Sequence, residues 1–259
     1  MHTPIYFDYN ATTPIDPRVL EGMLPYLQNH FGNPSSTYSI GYRTKEAIEM
    51  ARKDIANLIS VEDGNVFFTS GGSEANSTIL KGIAAKSSKK KHIITSSIEH
   101  PAILKTCDYL RKHHGFQITT IPVNPAGIVD VNDIERAITS QTVLVTVMMV
   151  NNEIGSIQPI KEIGNLCKKH NIHFHCDAVQ AVGKIPVNLK ELPIDSLSMS
   201  AHKIYGPKGV GCLYLREGVN IPPLILGGSQ EFGMRSGTEN VAGIVGFGIA
   251  AKIVQEDLY

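Results

Sequence analysis

Short β-branched runs alternate with amphipathic stretches along almost all of the 259-residue chain, and this alternation is the strongest constraint on its fold. Strand-like runs lie at Val66–Thr69, His92–Ser96, Gln117–Pro122, Val143–Met148, Ile172–Cys176, Ser196–Met199 and Gly211–Leu215. Helical periodicity covers Thr44–Leu58, Ser73–Ala85, Ala102–His113, Val131–Ile138 and Ile160–His170, with a last helix expected from Glu239 to Asp257. Within the first of these, Ala47, Ile48, Ala51, Ile55 and Leu58 form one apolar stripe, the spacing of a helix buried along one side. Strands separated by helices pair in parallel, because each crossover returns the chain to the same end of the sheet. The predicted fold is therefore α/β: a mostly parallel seven-stranded sheet with helices on both faces.

Composition narrows the function classes. With 42% hydrophobic and 19% charged residues, the chain has enough apolar side chains for an ordinary globular core. Its 24 basic and 24 acidic residues cancel, so no nucleic-acid or membrane partner is expected. The basic run Lys86 to Lys91 reads as a solvated loop. No apolar stretch reaches the roughly 20 residues that a membrane span needs. The start, Met1-His2-Thr3-Pro4, lacks the basic and apolar regions of a signal peptide. Cys107, Cys167, Cys176 and Cys212 form no CxxC pair, which suits a reducing compartment and predicts a cytoplasmic location without disulfides.

Two segments carry the chemistry. Ser200-Ala-His-Lys203 leads into the glycine-rich turn Gly206-Pro-Lys-Gly209, and Asp177 ends an apolar strand upstream. A lysine can form a Schiff base with an aldehyde cofactor, and a buried acid can keep a pyridine nitrogen protonated so that the ring accepts electrons. Together they read as a pyridoxal phosphate site. Val66-Phe-Phe-Thr-Ser-Gly-Gly-Ser73 is a strand, a glycine turn and a helix start. Gly71 and Gly72 permit close backbone approach, and Ser73 offers a hydroxyl and an N-cap, so the turn can cradle an anion or be only a turn. It is not a P-loop, since no Lys-Ser or Lys-Thr pair closes it.

His100, after strand His92–Ser96, falls at the sheet edge where open α/β sheets bind ligands. It could stack on a ring, move protons at a substrate carbon, or be a surface histidine. Asn151-Asn152 before Glu-Ile-Gly is either turn chemistry or a source of an amide for the cofactor or a substrate carboxylate. A rival reading takes His173, His175 and Asp177, which alternate along one strand face, as the ligands of a metal-dependent hydrolase. It leaves the lysine segment and the Gly-Gly-Ser turn unexplained, and no metal site is assigned.

With these residues in view, the chain resembles the cysteine desulfurases of the NifS/IscS type, within the class V aminotransferases of the fold-type I pyridoxal phosphate proteins. The resemblance begins at Tyr6-Phe-Asp-Tyr-Asn-Ala-Thr-Thr-Pro14, continues through Gly32-Asn-Pro-Ser-Ser36 and extends to Arg235-Ser-Gly-Thr-Glu-Asn240. It implies that Lys203 holds the cofactor, that Asp177 pairs with the pyridine nitrogen and that His100 stacks on the ring. By the same resemblance Gln180 bonds the phenolic oxygen, with Asn152 beside it. Gly72, Ser73, Ser200 and His202 would hold the phosphate, and Thr238 would reach the phosphate of a neighbouring subunit in a homodimer.

The activity so implied converts L-cysteine to L-alanine and leaves persulfide sulfur on an enzyme cysteine. The sulfur then passes to iron–sulfur scaffold or tRNA-thiolation proteins. Selenocysteine lyase, another class V enzyme, or a non-catalytic pyridoxal phosphate-binding dimer subunit are the neighbouring alternatives. Members of the family are longer, with a small domain that carries the catalytic cysteine loop and a carboxylate-binding arginine. Residues 16–259 are therefore expected to form the large, cofactor-binding domain, and residues 1–15 a segment joining the small domain, which is expected to be absent here. None of the four cysteines sits in the context of the family's cysteine loop, so each is expected in the core.

Overall fold

The computed structural model describes residues 5–87 and 89–258, the side chain of Leu258 excepted; the start on which the signal-peptide reading rests, residue 88 of the basic loop and residue 259 lie outside them. Seven strands form one sheet: β1 (Val66–Thr69), β2 (His92–Ser96), β3 (Gln117–Ile121), β4 (Thr142–Thr146), β5 (His173–Asp177), β6 (Ser196–Ser200) and β7 (Gly211–Leu215). Their order is β1-β7-β6-β5-β4-β2-β3. The five strands from β6 to β3 pair in parallel, and β7 runs antiparallel to both β6 and β1. The mostly parallel seven-stranded sheet expected from the sequence is present, with each predicted strand in place.

The helices are α1 (Pro17–Gln28), α2 (Ser39–Leu58), α3 (Gly72–Lys86), α4 (Pro101–His114), α5 (Val131–Ala137), α6 (Ile160–Lys169) and α7 (Val241–Leu258). Alternation along the strands divides the core in two. Ile94, Val145, Phe174 and Leu197 face the layer that contains α6 and α7, whereas Ile93, Leu144 and Leu213 face α3 and α4. The two faces are thus both covered, as the resemblance to a fold-type I large domain implies.

Three helices depart from the periodicity reading by two residues or more. Helix α1 has no counterpart in it: only Val19 and Met23 are buried, and Pro25 lies inside the helix, so no apolar stripe marks it. Its start signal is present all the same, with Asp16 accepting from the Arg18 N–H and proline at the first helical position. Helix α2 begins five residues before Thr44, at Ser39, because that turn leaves Ile40 and Tyr42 exposed and carries no inward pattern. Helix α7 starts at Val241 rather than Glu239. It packs so closely on α2 that a Cβ at Gly248 would stand 2.5 Å from the Ala51 Cα.

Candidate active site

Strands β1, β2, β4, β5 and β6 all end at one edge of the sheet, and there a cavity of about 400 Å3 opens. This is the carboxyl edge, where ligands of open α/β sheets bind. Asp177, the last residue of β5, forms its buried floor. Its Oδ2 accepts from Asn76 Nδ2 at 2.7 Å, and its Oδ1 accepts from the Val179 N–H at 3.0 Å. Burial pushes the carboxyl above the usual range, while the two hydrogen bonds and the charges of His100 and Lys203 pull the other way.

Lys203 closes the single 3-10 turn Ala201–Lys203 that follows β6. Its ammonium donates to the Asn10 carbonyl and, at 2.8 Å, to that of Ala11. Burial lowers its proton affinity against the opposing charges of Asp8, Asp177 and Glu153. A lysine so placed gives up its proton more readily, which is what a nucleophilic amine requires. Gln180 Nε2 donates to the Asn10 carbonyl at 2.8 Å, and Gln180 Oε1 accepts from Lys184. His202 Nδ1 lies 3.1 Å from the Thr12 hydroxyl. Residues 10–13 therefore roof the lysine from the side of the N-terminal segment.

His100 caps α4, its Nδ1 accepting from the Ala102 N–H at 3.1 Å. A neutral ring in this pose carries its proton on Nε2. The asparagine pair divides its tasks. Asn151 is buried and performs turn chemistry, its Oδ1 accepting from the N–H groups of Glu153 and Ile154 at 2.9 and 3.0 Å. Asn152 lines the cavity and donates to Glu153 Oε1 at 2.7 Å.

At the other end of the cavity α3 begins. The N-cap is Gly71, not Ser73 as the sequence reading has it, and Ser73 stands inside the first turn. Gly71 can occupy φ 152°, which a residue with a side chain rarely adopts, so the helix starts at Gly72, one residue before the predicted Ser73. A Cβ at Gly72 would fall 2.7 Å from Val179 Cγ2, so the turn packs directly against the loop after Asp177. The free N–H groups of this first turn face the cavity with the positive end of the helix dipole.

Gly72, Ser73, His100, Asn152, Asp177, Gln180, Ser200, His202 and Lys203 all line this one cavity. Thr238 does not: it is exposed and borders a separate cavity of about 180 Å3 with Gly237 and Glu239. Periodicity could have found one residue that the sequence reading misses. Asn76 lies one helical turn after Gly72, hence on the same face of α3. Asn10 and Met148, which also line the cavity, carry no local signal of their own.

The donor set suits pyridoxal phosphate: a half-buried amine, a buried acid, an imidazole on the wall and a helix start at the far end. It does not suit a metal. His175 engages both ring nitrogens in hydrogen bonds, and among the described residues no group of three or more His, Cys, Asp or Glu side chains could hold a metal ion. The four cysteines are free and buried. Burial pushes the Cys107 and Cys167 thiols up to about 12 and also raises those of Cys176 and Cys212 well above the ordinary thiol range, so none is poised as a thiolate.

Comparison with known proteins agrees with this geometry. Residues 5–258 match the model of the family described as aminotransferase class-V. The cysteine desulfurase IscS of Clostridium botulinum is 54% identical over 259 residues, which are 100% of this chain and 65% of that protein. A solved NifS-like protein superposes with a TM-score of 0.96 at 45% identity, covering 99% of this chain and 71% of its own. A second solved structure, SspA in complex with cysteine, gives 0.93 at 42% identity, covering 95% and 72%. The chain thus spans just under two thirds of the length of the curated IscS relative. It belongs to the aminotransferase class-V family, among the NifS- and IscS-type proteins.

Proposed function

We propose that this chain is the cofactor-binding part of a pyridoxal phosphate-dependent cysteine desulfurase, which converts L-cysteine to L-alanine and passes the sulfur to an enzyme cysteine. The observation that carries the reading is the convergence of Lys203, Asp177, His100 and the start of α3 on one cavity. That the solved relative SspA is a complex with cysteine supports the substrate. When bound, pyridoxal phosphate supplies an electron sink for the charge that develops at the substrate α-carbon.

The chain's own residues do the rest. Lys203 anchors the cofactor through its amine and, once displaced by the substrate amine, holds or moves the proton at the α-carbon. Asp177 keeps the proton on the pyridine nitrogen, and His100 covers the ring. Gln180 and Asn152 bind at the phenolic oxygen and the substrate carboxylate. Gly72, Ser73, Ser200 and His202 hold the phosphate at the helix start. Thr238, exposed and away from the cavity, serves the phosphate of a second copy in a homodimer. The thiol that takes the sulfur lies in the length of the relatives that this chain does not span, a reading supported by the burial of all four cysteines here. Iron–sulfur scaffold or tRNA-thiolation proteins then accept the sulfur. The reduced cysteines suit a cytoplasmic setting, and no described helix is long and apolar enough to cross a membrane. Residues 1–15 join the small domain, and 16–259 form the large one.

Visible absorption of the cofactor-loaded chain tests this reading. The bound-cofactor band is expected to vanish in Lys203→Ala and to shift on addition of L-cysteine, with no sulfide released by the chain alone. A band indifferent to Lys203 would refute the site assignment.

A further inference from the structure

Strand β5 sends His173, His175 and Asp177 toward α3, and the site described above uses only the last. The other two are joined to it by an unbroken run of hydrogen bonds beneath the cavity. Asn76 Nδ2 donates to Asp177 Oδ2 at 2.7 Å, and Asn76 Oδ1 lies 2.9 Å from His175 Nε2. His175 Nδ1 lies 2.9 Å from Ser196 Oγ, which is 2.8 Å from His173 Nε2. Ser198 Oγ forms a weaker branch, 3.5 Å from His175 Nε2. Asn76, His175, Ser196 and Ser198 are each at most 1% exposed, so these groups bond to one another rather than to solvent.

Donor accounting fixes the direction of the chain. An amide oxygen only accepts, so His175 Nε2 carries a proton. Burial pushes the pKa of His175 down to about 3, so the ring is neutral and its Nδ1 is an acceptor. The Ser196 hydroxyl must give its one proton to that nitrogen, and His173 Nε2 must then donate to the Ser196 oxygen. Every link of the main run, from His173 through Ser196, His175 and Asn76, points toward Asp177. The dipoles add at a carboxylate that burial alone would push toward its neutral form, and in a site of low polarity such a chain is strengthened by its own alignment.

We propose that Asn76 and His175 are positioning residues: through this directed chain from His173 they hold Asp177 as the charged acceptor for a protonated pyridine nitrogen. The proposal rests on the pyridoxal phosphate reading of the site. It also gives the alternating His-x-His-x-Asp pattern a role that involves no metal.

The test is the nitrogen-15 shift of ring-labelled pyridoxal phosphate bound to the 259-residue chain, with thermal stability recorded in parallel. The unsubstituted chain should show a protonated ring nitrogen. Asn76→Leu, which removes the donor to Asp177, should reduce the protonated-to-neutral ratio about tenfold or more, one pKa unit. His175→Leu should move the shift the same way, whereas His175→Gln, whose amide both donates and accepts, should restore it. A merely structural role would move stability without moving the shift. Bound cofactor with an unchanged shift in Asn76→Leu and His175→Leu overturns the proposal. Should Asn76→Leu fail to fold, the His175 pair decides, and equal shifts in Leu and Gln variants overturn it. If the unsubstituted chain attaches no cofactor at Lys203, the site reading itself has failed and the relay falls with it. An attached cofactor with a neutral ring nitrogen in the unsubstituted chain overturns the relay alone.

Discussion

The two ends of the same sheet differ in a way that cavity size does not anticipate. At the carboxyl edge lies the cavity of about 400 Å3 with Lys203 and Asp177; at the amino edge lies a larger cleft of about 650 Å3, lined by Lys86, Lys168, His173 and Arg216. Helix α3 begins at the first edge and presents free N–H groups there, whereas α3 and α6 end at the second. Two cations of the amino edge are already engaged: Lys86 donates to the Asn220 carbonyl at 2.6 Å, and Arg216 to those of Ile194 and Leu192 at 2.8 Å each. They quench carbonyls and helix C-termini. At the carboxyl edge a lysine, an acid and the N-terminus of α3 instead converge on the cavity. The direction of the backbone dipoles, not the volume, separates a site from a cleft.

Substitutions can break this contrast or sharpen it. Phe174 lies fully buried on β5 between the two edges and should affect both: Phe174→Ala is expected to cost about 3–5 kcal/mol in urea unfolding, and a loss below 1 kcal/mol would mean that β5 does not pin the core. Asp177→Ala strands its hydrogen-bond donors under the cavity and should weaken pyridoxal phosphate binding about a hundredfold in spectrophotometric titration. Arg216→Ala at the opposite edge should cost roughly 1–2 kcal/mol of stability through lost carbonyl caps, with cofactor affinity unchanged. A loss of affinity there would erase the distinction between the edges.

A pH-dependent effect concerns Glu99, buried beside the site with Oε1 accepting from Ser96 Oγ at 2.6 Å and from the Met148 N–H at 2.8 Å. Burial, with a contribution from the Asp177 charge, pushes its carboxyl up to about 8 from an ordinary 4.5. The folded state therefore holds a proton that the unfolded state releases in this window. Its contribution to stability is complete below about 4.5 and is lost as pH rises through about 8. Glu99→Gln should flatten that decline in thermal unfolding; a decline of unchanged slope would assign the pH dependence to other groups.

Much of this was legible residue by residue. Strands such as β1 and β7 announced themselves because a strand buried on both faces must be apolar and short, and Val66–Thr69 or Gly211–Leu215 can be little else. Helix α1 was not legible, because a helix that buries two side chains leaves almost no periodic trace. The asparagine pair shows the same limit within the site. Both residues suit a turn, and only the fold decides that Asn151 turns inward to the Ile98 carbonyl while Asn152 faces the cavity.

By itself, the sequence determined the alternation of elements, the chemical groups available and the glycines that let α3 start at Gly72, since these depend on neighbouring residues and on backbone sterics. Tertiary structure alone decided which groups meet. Asn76 and Asp177 are 101 residues apart yet share a hydrogen bond of 2.7 Å, Lys203 is roofed by Asn10 and Ala11 from the other end of the chain, and Arg52 pairs with Glu231 in the core at 2.7 Å. No local spacing encodes such pairs. They form because burial leaves each polar group only the partners that the sheet order brings within reach.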